Sequence, residues 1–268
     1  MPLLVCPTPI GNLEDVTLRV LRELAEADVV LCEDTRRTRT LLDRHGVRAR
    51  LISYHRHNEA RRTEEVIPRL EAGERIALVS DAGLPGMNDP GARLIAAALE
   101  RGLDVTVLPG PSAVETALVA SGLLGERYTF LGYLPRSRAG LERLWSEIAA
   151  WQWPVVAFES PRRLPATLAS LAAAKPDRPV VVCRELTKRF EEVVRGPARE
   201  VAERFDEPPK GEVTIVIGPG TGSTPPAATE GAAAVAELVA AGVPRRRAAD
   251  LVARLTGLSR NELYRGSL

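Results

Sequence analysis

The sequence predicts an α/β protein of two lobes followed by a small helical tail, and three observations carry that expectation. Apolar runs of strand length alternate with helix-length amphipathic stretches from the first residues to about residue 217, the pattern of a largely parallel sheet. Residues 76–79 are such a run. They break into Ser80-Asp81-Ala82-Gly83-Leu84-Pro85-Gly86, and Asp89-Pro90 then opens an Ala/Leu-rich helix, with Asp89 as N-cap and Pro90 at the first helical position. Residues 105–108 repeat the device: a strand, the rigid turn Pro109-Gly110-Pro111, and a capping box from Ser112 to Glu115. Two such turns in succession put their loops beyond the carboxyl ends of the strands, where open α/β sheets bind ligands.

In chain order, residues 3–6 form a first strand that ends in the kinked loop Pro7-Thr8-Pro9-Ile10-Gly11-Asn12. Leu18, Leu21, Leu24 and Ala25 give residues 17–27 a helical stripe. A strand over 28–32 leads into Glu33-Asp34-Thr35-Arg36-Arg37 and a helix to about Gly46. A short strand over 50–53, a polar loop through Glu59 and a helix through Leu70 follow. With the strands at 76–79 and 105–108 this makes a five-stranded parallel lobe, residues 1–121. Residues 122–127 connect it to a second α/β lobe, 122–218. Strands are expected there over 129–131, 155–158, 180–183, 190–195 and 212–217, with helices over 138–150 and 162–174, in a mixed sheet. Residues 219–230 read as a linker. Gly218, Gly220 and Gly222 imitate a dinucleotide fingerprint, but Pro225-Pro226 bars the helix that motif requires. Residues 231–268 form three short helices with apolar stripes at Val235, Leu238 and Val239, at Leu251, Val252 and Leu255, and at Leu263 and Tyr264. Ser259 and Glu262 offer a further capping box.

Composition bounds the class. Apolar residues make up 45% of 268, enough for real cores, and no apolar run approaches the ~18 residues of a membrane span. The start lacks the basic region of a signal peptide. Cys6, Cys32 and Cys183 lie far apart in apolar runs, as buried thiols of a reducing, cytoplasmic compartment do. The net charge of +1 excludes a wholly basic coat without excluding a local basic face. The cations are nearly all arginine, with Lys only at 175, 188 and 210.

No phosphate-binding loop of the G-x-x-x-x-G-K-[ST] kind occurs, which counts against an NTPase. His55-Arg56-His57 has no further His or Cys nearby, so no metal site is expected. Glu33 and Asp34 at a strand end suit either a helix cap or the orientation of a substrate hydroxyl. The charges of Arg184-Glu185-Leu186-Thr187-Lys188-Arg189 suit either an exposed hairpin or an acid–lysine pair facing a cleft.

The ordered set Pro7-Thr-Pro-Ile-Gly-Asn-Leu-Glu-Asp15, Glu33-Asp-Thr-Arg36, His57-Asn-Glu59, Ser80-Asp-Ala-Gly83, Asp89-Pro-Gly91, Leu108-Pro-Gly-Pro-Ser112, Phe158-Glu-Ser-Pro161, Arg184-Glu-Leu-Thr-Lys188 and Lys210-Gly-Glu212 resembles the ribosomal-RNA-modifying branch of the tetrapyrrole-methylase (class III) family of S-adenosylmethionine-dependent enzymes. The resemblance spans almost the whole chain, helical tail included. Leu84 stands where that branch usually has Thr, and Arg56 where it usually has an acid.

The resemblance implies a cofactor cleft between the two lobes, usually in a homodimer, and methylation of a cytidine ribose 2′-hydroxyl in the decoding region of 16S rRNA, within the small ribosomal subunit. By the same resemblance S-adenosylmethionine touches Pro9, Ile10 and Gly11, then Asp81, Ala82, Gly83 and Leu84, then Ser112 and Ala113, and in the second lobe Phe158, Glu159, Lys210 and Gly211. Asp34, His55, Glu185 and Lys188 are the candidates for handling the hydroxyl proton. Arg36, His57, Arg162 and the run Arg245-Arg246-Arg247 are candidates for holding RNA. The arginine run opens a helix, where cations oppose the helix dipole; it suits either a partner in backbone phosphate or a solvated charged turn. Two rivals stand beside this reading: a corrinoid- or porphyrin-intermediate methylase on the same scaffold, and a non-catalytic RNA-binding assembly factor.

Overall fold

The computed structural model describes residues 3–220, 227–256 and 258–267. Its first sheet comprises β1 (Leu3–Val5), β2 (Val29–Cys32), β3 (Leu51–Ser53), β4 (Ile76–Leu78) and β5 (Val105–Val107), in the order β3-β2-β4-β1-β5. All neighbours run parallel. β1, β2 and β4 are buried along their whole length, which explains why they read as continuous apolar runs rather than alternating ones. The helices α1 (Leu18–Glu26), α2 (Thr35–Arg44), α3 (Glu59–Glu71), α4 (Ala92–Glu100) and α5 (Ala113–Ser121) connect them. β4 is the middle strand and β5 an edge strand, with β1 between them, so of the two loops singled out in the sequence the first sits at the centre of the sheet's carboxyl edge and the second at its side.

The second sheet has the order β6-β7-β10-β8-β9, built from β6 (Thr129–Tyr133), β7 (Val155–Glu159), β8 (Pro179–Arg184), β9 (Glu192–Pro197) and β10 (Val213–Ile217). β6 and β7 are parallel and the remaining pairs antiparallel, the mixed sheet the sequence predicts. α6 (Arg138–Glu147), α7 (Leu164–Ala174) and α8 (Ala198–Arg204) cover one face. α8 is not foreseen in the sequence, although Ala198, Val201, Ala202 and Phe205, which pack into the core, recur at helical spacing.

α5 covers the other face. Val114, Ala117 and Leu118 pack against Val156, Val181, Cys183 and Val216 of the second sheet, with Ile10 and Leu186 in the same buried cluster. Burying a Val or Leu side chain contributes about 1.5–3 kcal/mol. This shared core, more than the polar contacts across the boundary, therefore fixes the lobes to each other. The helix that chain order assigns to the first lobe is, by packing, a layer of the second.

The three cysteines are free and buried, and burial pushes the thiols up to about 12 at Cys6 and about 11 at Cys183. They are inert packing residues.

The tail is a bundle of α9 (Ala227–Ala240), α10 (Arg245–Thr256) and α11 (Arg260–Gly266) around Val235, Ala248, Ala249, Val252 and Leu263. α9 opens at Ala227, ahead of the expected boundary, and residues 221–226 of the expected linker lie outside the described residues. Two members of the expected stripes face outward: Leu255 is 83% and Tyr264 40% exposed. Ser259 is the N-cap of α11, yet its side chain makes no capping bond.

Candidate functional site

The first-strand loop and the central loop are stapled together. Thr8 and Gly83 exchange backbone N–H···O bonds of 2.9 Å. The Thr8 hydroxyl donates to the Ser80 carbonyl at 2.9 Å, and the Ser80 hydroxyl donates to the Gly83 carbonyl at 3.1 Å. Gly83 sits at φ 75°, where a side chain would be strained. Beside this staple a cleft of about 930 Å³ opens between the lobes, the size of a small-molecule site. Ile10, Leu84, Phe130 and Phe158 give it apolar walls, and the start of α5 at Ser112 and Ala113 borders it. A recess of about 250 Å³ adjoins it, lined by Thr8, Pro9, Gly11, Thr38 and Lys188 among others, and shares Ile10, Arg37, Asp81, Ala82 and Glu212 with the cleft.

The residues expected to hold a cofactor come together here with one exception. Ile10, Asp81, Ala82, Gly83, Leu84, Ser112, Ala113, Phe158, Glu159 and Gly211 line the cleft, and Pro9 and Gly11 the recess. Lys210 lines neither; its carbonyl accepts a bond from Arg184 Nη1 at 3.1 Å. Asp81 Oδ1 accepts the Asp34 N–H at 3.0 Å and Oδ2 lies 3.5 Å from Arg37 Nη1. The Glu159 side chain is fully covered, accepting from the Ser160 N–H and the Thr167 hydroxyl at 2.6 Å each and pairing with Arg163. The Ser112 hydroxyl does not cap α5 but donates to Glu115, which also accepts from the Tyr128 hydroxyl at 2.5 Å. Burial pushes the Glu115 carboxyl up, and those two hydroxyls more than cancel it.

The expected proton-handling residues scatter. Asp34 is the N-cap of α2 and is gripped by Arg36, with contacts of 2.7–3.1 Å. That guanidinium holds its carboxyl well below the usual carboxylate range. Asp34 and His55 line neither cavity. His55 Nε2 lies 3.3 Å from Asn58 Nδ2, and Nδ1 is buried without a partner among the described residues. Lys188 Nζ bridges Glu185 Oε1 at 2.8 Å and Glu212 Oε2 at 2.9 Å. The bridge lowers the Glu185 carboxyl; for Lys188 it outweighs burial and raises the ammonium. Gly211, at φ 94°, is obligatory against this bridge, because a Cβ there would overlap the Glu185 carboxyl group. Arg36, His57, Arg162, Arg246 and Arg247 are exposed, and Arg245 is half-buried.

Asp89 departs from expectation most. α4 begins at Ala92 with Gly91 as N-cap at φ 138°, so Asp89 caps nothing. It lines the cleft instead. Burial, then the neighbouring carboxylates Glu33 and Asp81, push its carboxyl up to about 6, against a smaller opposing effect of Arg56. Glu33 is raised as well, by burial and Asp81. The signal available in the sequence was Gly91: a glycine straight after Pro90 moves the helix start two residues on. Among the described residues, no group of three or more His, Cys, Asp or Glu is placed to hold a metal ion, and no helix is long and apolar enough to cross a membrane.

Residues 2–202 match the family of Tetrapyrrole (Corrin/Porphyrin) Methylases, and residues 225–266 match the RsmI C-terminal HTH domain. The chain is 42% identical over 265 residues to a ribosomal RNA small subunit methyltransferase I of Mesorhizobium japonicum, covering 96% of this chain and 88% of that protein. A protein of the same name from Thermotoga maritima is 40% identical over 216 residues, covering 80% and 97% respectively. Among solved structures, a uroporphyrin-III C-methyltransferase from Thermus thermophilus complexed with S-adenyl homocysteine superimposes with a TM-score of 0.57 at 18% identity, covering 81% of this chain and 97% of that one; it shares the fold.

Proposed function

The chain belongs to the tetrapyrrole (corrin/porphyrin) methylase family, and we propose from that premise that it methylates small-subunit ribosomal RNA with S-adenosylmethionine, on the ribose 2′-hydroxyl of a cytidine in the decoding region. The observation that carries the reading is the likeness to small-subunit rRNA methyltransferases along 96% of the chain, tail included, together with an inter-lobe cleft of matching chemistry.

The residues present fit the cofactor. Ile10, Leu84 and Phe158 offer apolar walls to an adenosine. The start of α5, whose serine hydroxyl is turned to Glu115, leaves backbone N–H groups for a carboxylate. Asp81, 23% exposed at its side chain, can accept from ribose hydroxyls. The sulfonium-bound methyl that the cofactor supplies is already electrophilic, so alignment and removal of the hydroxyl proton are the protein's tasks.

Lys188 stays protonated beside the recess and with Arg37 offers cations to the phosphate next to the target ribose. Exposed Arg36, His57 and Arg162 extend that surface, and Arg245, Arg246 and Arg247 at the head of α10 give the tail its RNA contact. We place the enzyme in the cytoplasm, consistent with its free thiols, and working as a homodimer. Incubation with undermodified small ribosomal subunits, followed by nucleoside mass spectrometry, tests the reading. It predicts one 2′-O-methylcytidine per subunit; a base-methylated product or none contradicts it.

A further inference from the structure

Five carboxylates line the cleft: Asp81, Asp89, Glu115, Glu159 and Glu212. Four are engaged by the protein: Asp81 by Arg37 and the Asp34 N–H, Glu115 by two hydroxyls, Glu159 by Arg163 and Thr167, and Glu212 by Lys188. Asp89 accepts no hydrogen bond and makes no ion pair among the described residues. A half-buried carboxylate without a partner is costly to keep, and its surroundings work against its charge. Glu33 from the end of β2, Asp81 from the end of β4 and Glu212 from the start of β10 all disfavour it, Arg56 favours it, and the Tyr133 phenol on β6 feels its charge.

Its position is nevertheless fixed. Asn88 before it sits at φ 66°, and Gly86 and Gly91 on either side at φ 86° and 138°. The Asn88 carboxamide lies over Gly132 of β6, where a Cβ would meet Asn88 Oδ1 at 2.8 Å. At Gly91 a Cβ would meet Leu78 Cδ2 at 2.9 Å. The turn is thus keyed into both lobes and holds an unpaired acid at the cleft.

We propose that Asp89 is the general base of the methyl transfer, an inference that rests on the reading of the cleft given above. As the ribose oxygen bonds to the methyl carbon, its O–H proton passes to the Asp89 carboxylate. The carbon–sulfur pair leaves on sulfur, giving a neutral thioether, and the protonated Asp89 then releases its proton to water. A base serves best when its own proton affinity is near the working pH, and the acidic surroundings of Asp89 move it in that direction.

The test uses the full-length enzyme with undermodified subunits in single turnover. The wild-type rate is expected to rise tenfold per pH unit along an acid limb and then level off once Asp89 is ionised. Asp89→Asn should lower the plateau roughly 10²–10⁴-fold and abolish that limb. Asp89→Glu, which displaces the carboxylate without removing it, should keep the limb at a reduced rate. Calorimetry supplies a readout independent of turnover: Asp89→Asn should bind S-adenosylmethionine and S-adenosylhomocysteine with the same affinity ratio as wild type. A wild-type rate in Asp89→Asn overturns the inference. So does a selective loss of S-adenosylmethionine affinity, which would make Asp89 a counter-charge to the sulfonium. A wild-type enzyme that methylates no subunit would instead overturn the parent reading.

Discussion

The loop after β4 and the loop after β8 both reach across to the opposite lobe, and both hold non-glycine residues in the left-handed region, Asn88 at φ 66° in the first and Glu185 and Thr187 at φ 54° and 65° in the second. In the β8 loop the acid at the bend is paired, while exposed Arg189 makes no ion pair among the described residues. Lys188 bridges Glu185 and Glu212, the Thr187 hydroxyl accepts the Asn12 N–H at 2.9 Å, and Gly11 fits so closely that a Cβ would come within 2.5–2.7 Å of Lys188, Thr187 and Leu186. In the β4 loop the backbone is equally constrained and Asp81 is held, but Asp89 has no partner among the described residues. Left-handed strain marks both loops, so strain alone does not locate chemistry. The unpaired acid distinguishes them: one loop latches the lobes, the other presents a reactive group.

The largest effect expected from this division is on turnover. Asp89→Asn should lose roughly 10²–10⁴-fold in single turnover, and Glu185→Gln less than tenfold in the same assay. Equal losses would erase the distinction. The reverse asymmetry should appear in stability. Gly211→Ala places a Cβ into the Glu185 carboxyl group at a φ of 94°, and should cost about 2–3 kcal/mol, read as a lower denaturation midpoint with an unchanged slope.

Asp89→Asn should do the opposite, and the pH window follows from the sign of its shift. The folded-state value of about 6 lies above the ordinary 3.8. Protonation therefore favours the fold; that stability is fully present below pH ~4 and is lost as pH rises through ~6. The neutral variant escapes the loss. It should be more stable than wild type by about 1 kcal/mol at pH 8, after discounting for solvent screening of a partly exposed group, and equal to it near pH 4. A destabilised variant at pH 8 would mean that Asp89 has a partner in solution.

The smallest effect concerns the tail. Replacing Arg245, Arg246 and Arg247 with alanine should leave cofactor affinity unchanged and weaken RNA binding a few-fold, lowering the salt slope by about 0.7–0.9 for each phosphate the protein no longer neutralises. An unchanged slope would remove the arginines from the interface.

Much of this architecture is legible in the chain. Buried parallel strands announce themselves as apolar runs, and the Gly- and Pro-rich breaks after β1, β4 and β5 mark the cleft edge. Less legible is what each polar side chain does once the loops meet. Ser112 and Glu115 have capping-box spacing, yet the hydroxyl turns to the carboxylate, which Tyr128 from the other lobe also engages. Asp34 and Arg36 stand two residues apart, and nothing in that spacing says the arginine will fold back onto the acid. Asp89 reads as a cap by local propensity, but the turn at Gly91 releases it. The Tyr128 contact is long-range and the turn at Gly91 left-handed, and the two local pairings are choices among rotamers; a residue pattern contains none of these.

The contrast between the two loops is tested most directly by a carbon-13 titration of the side-chain carboxyls of the ligand-free enzyme. Asp89 should titrate at about 6, and Glu185 below the ordinary 4.5 because Lys188 bonds it. An Asp89 midpoint near 3.8 would contradict the account, for it would mean that the cleft does not disfavour the charge of this acid.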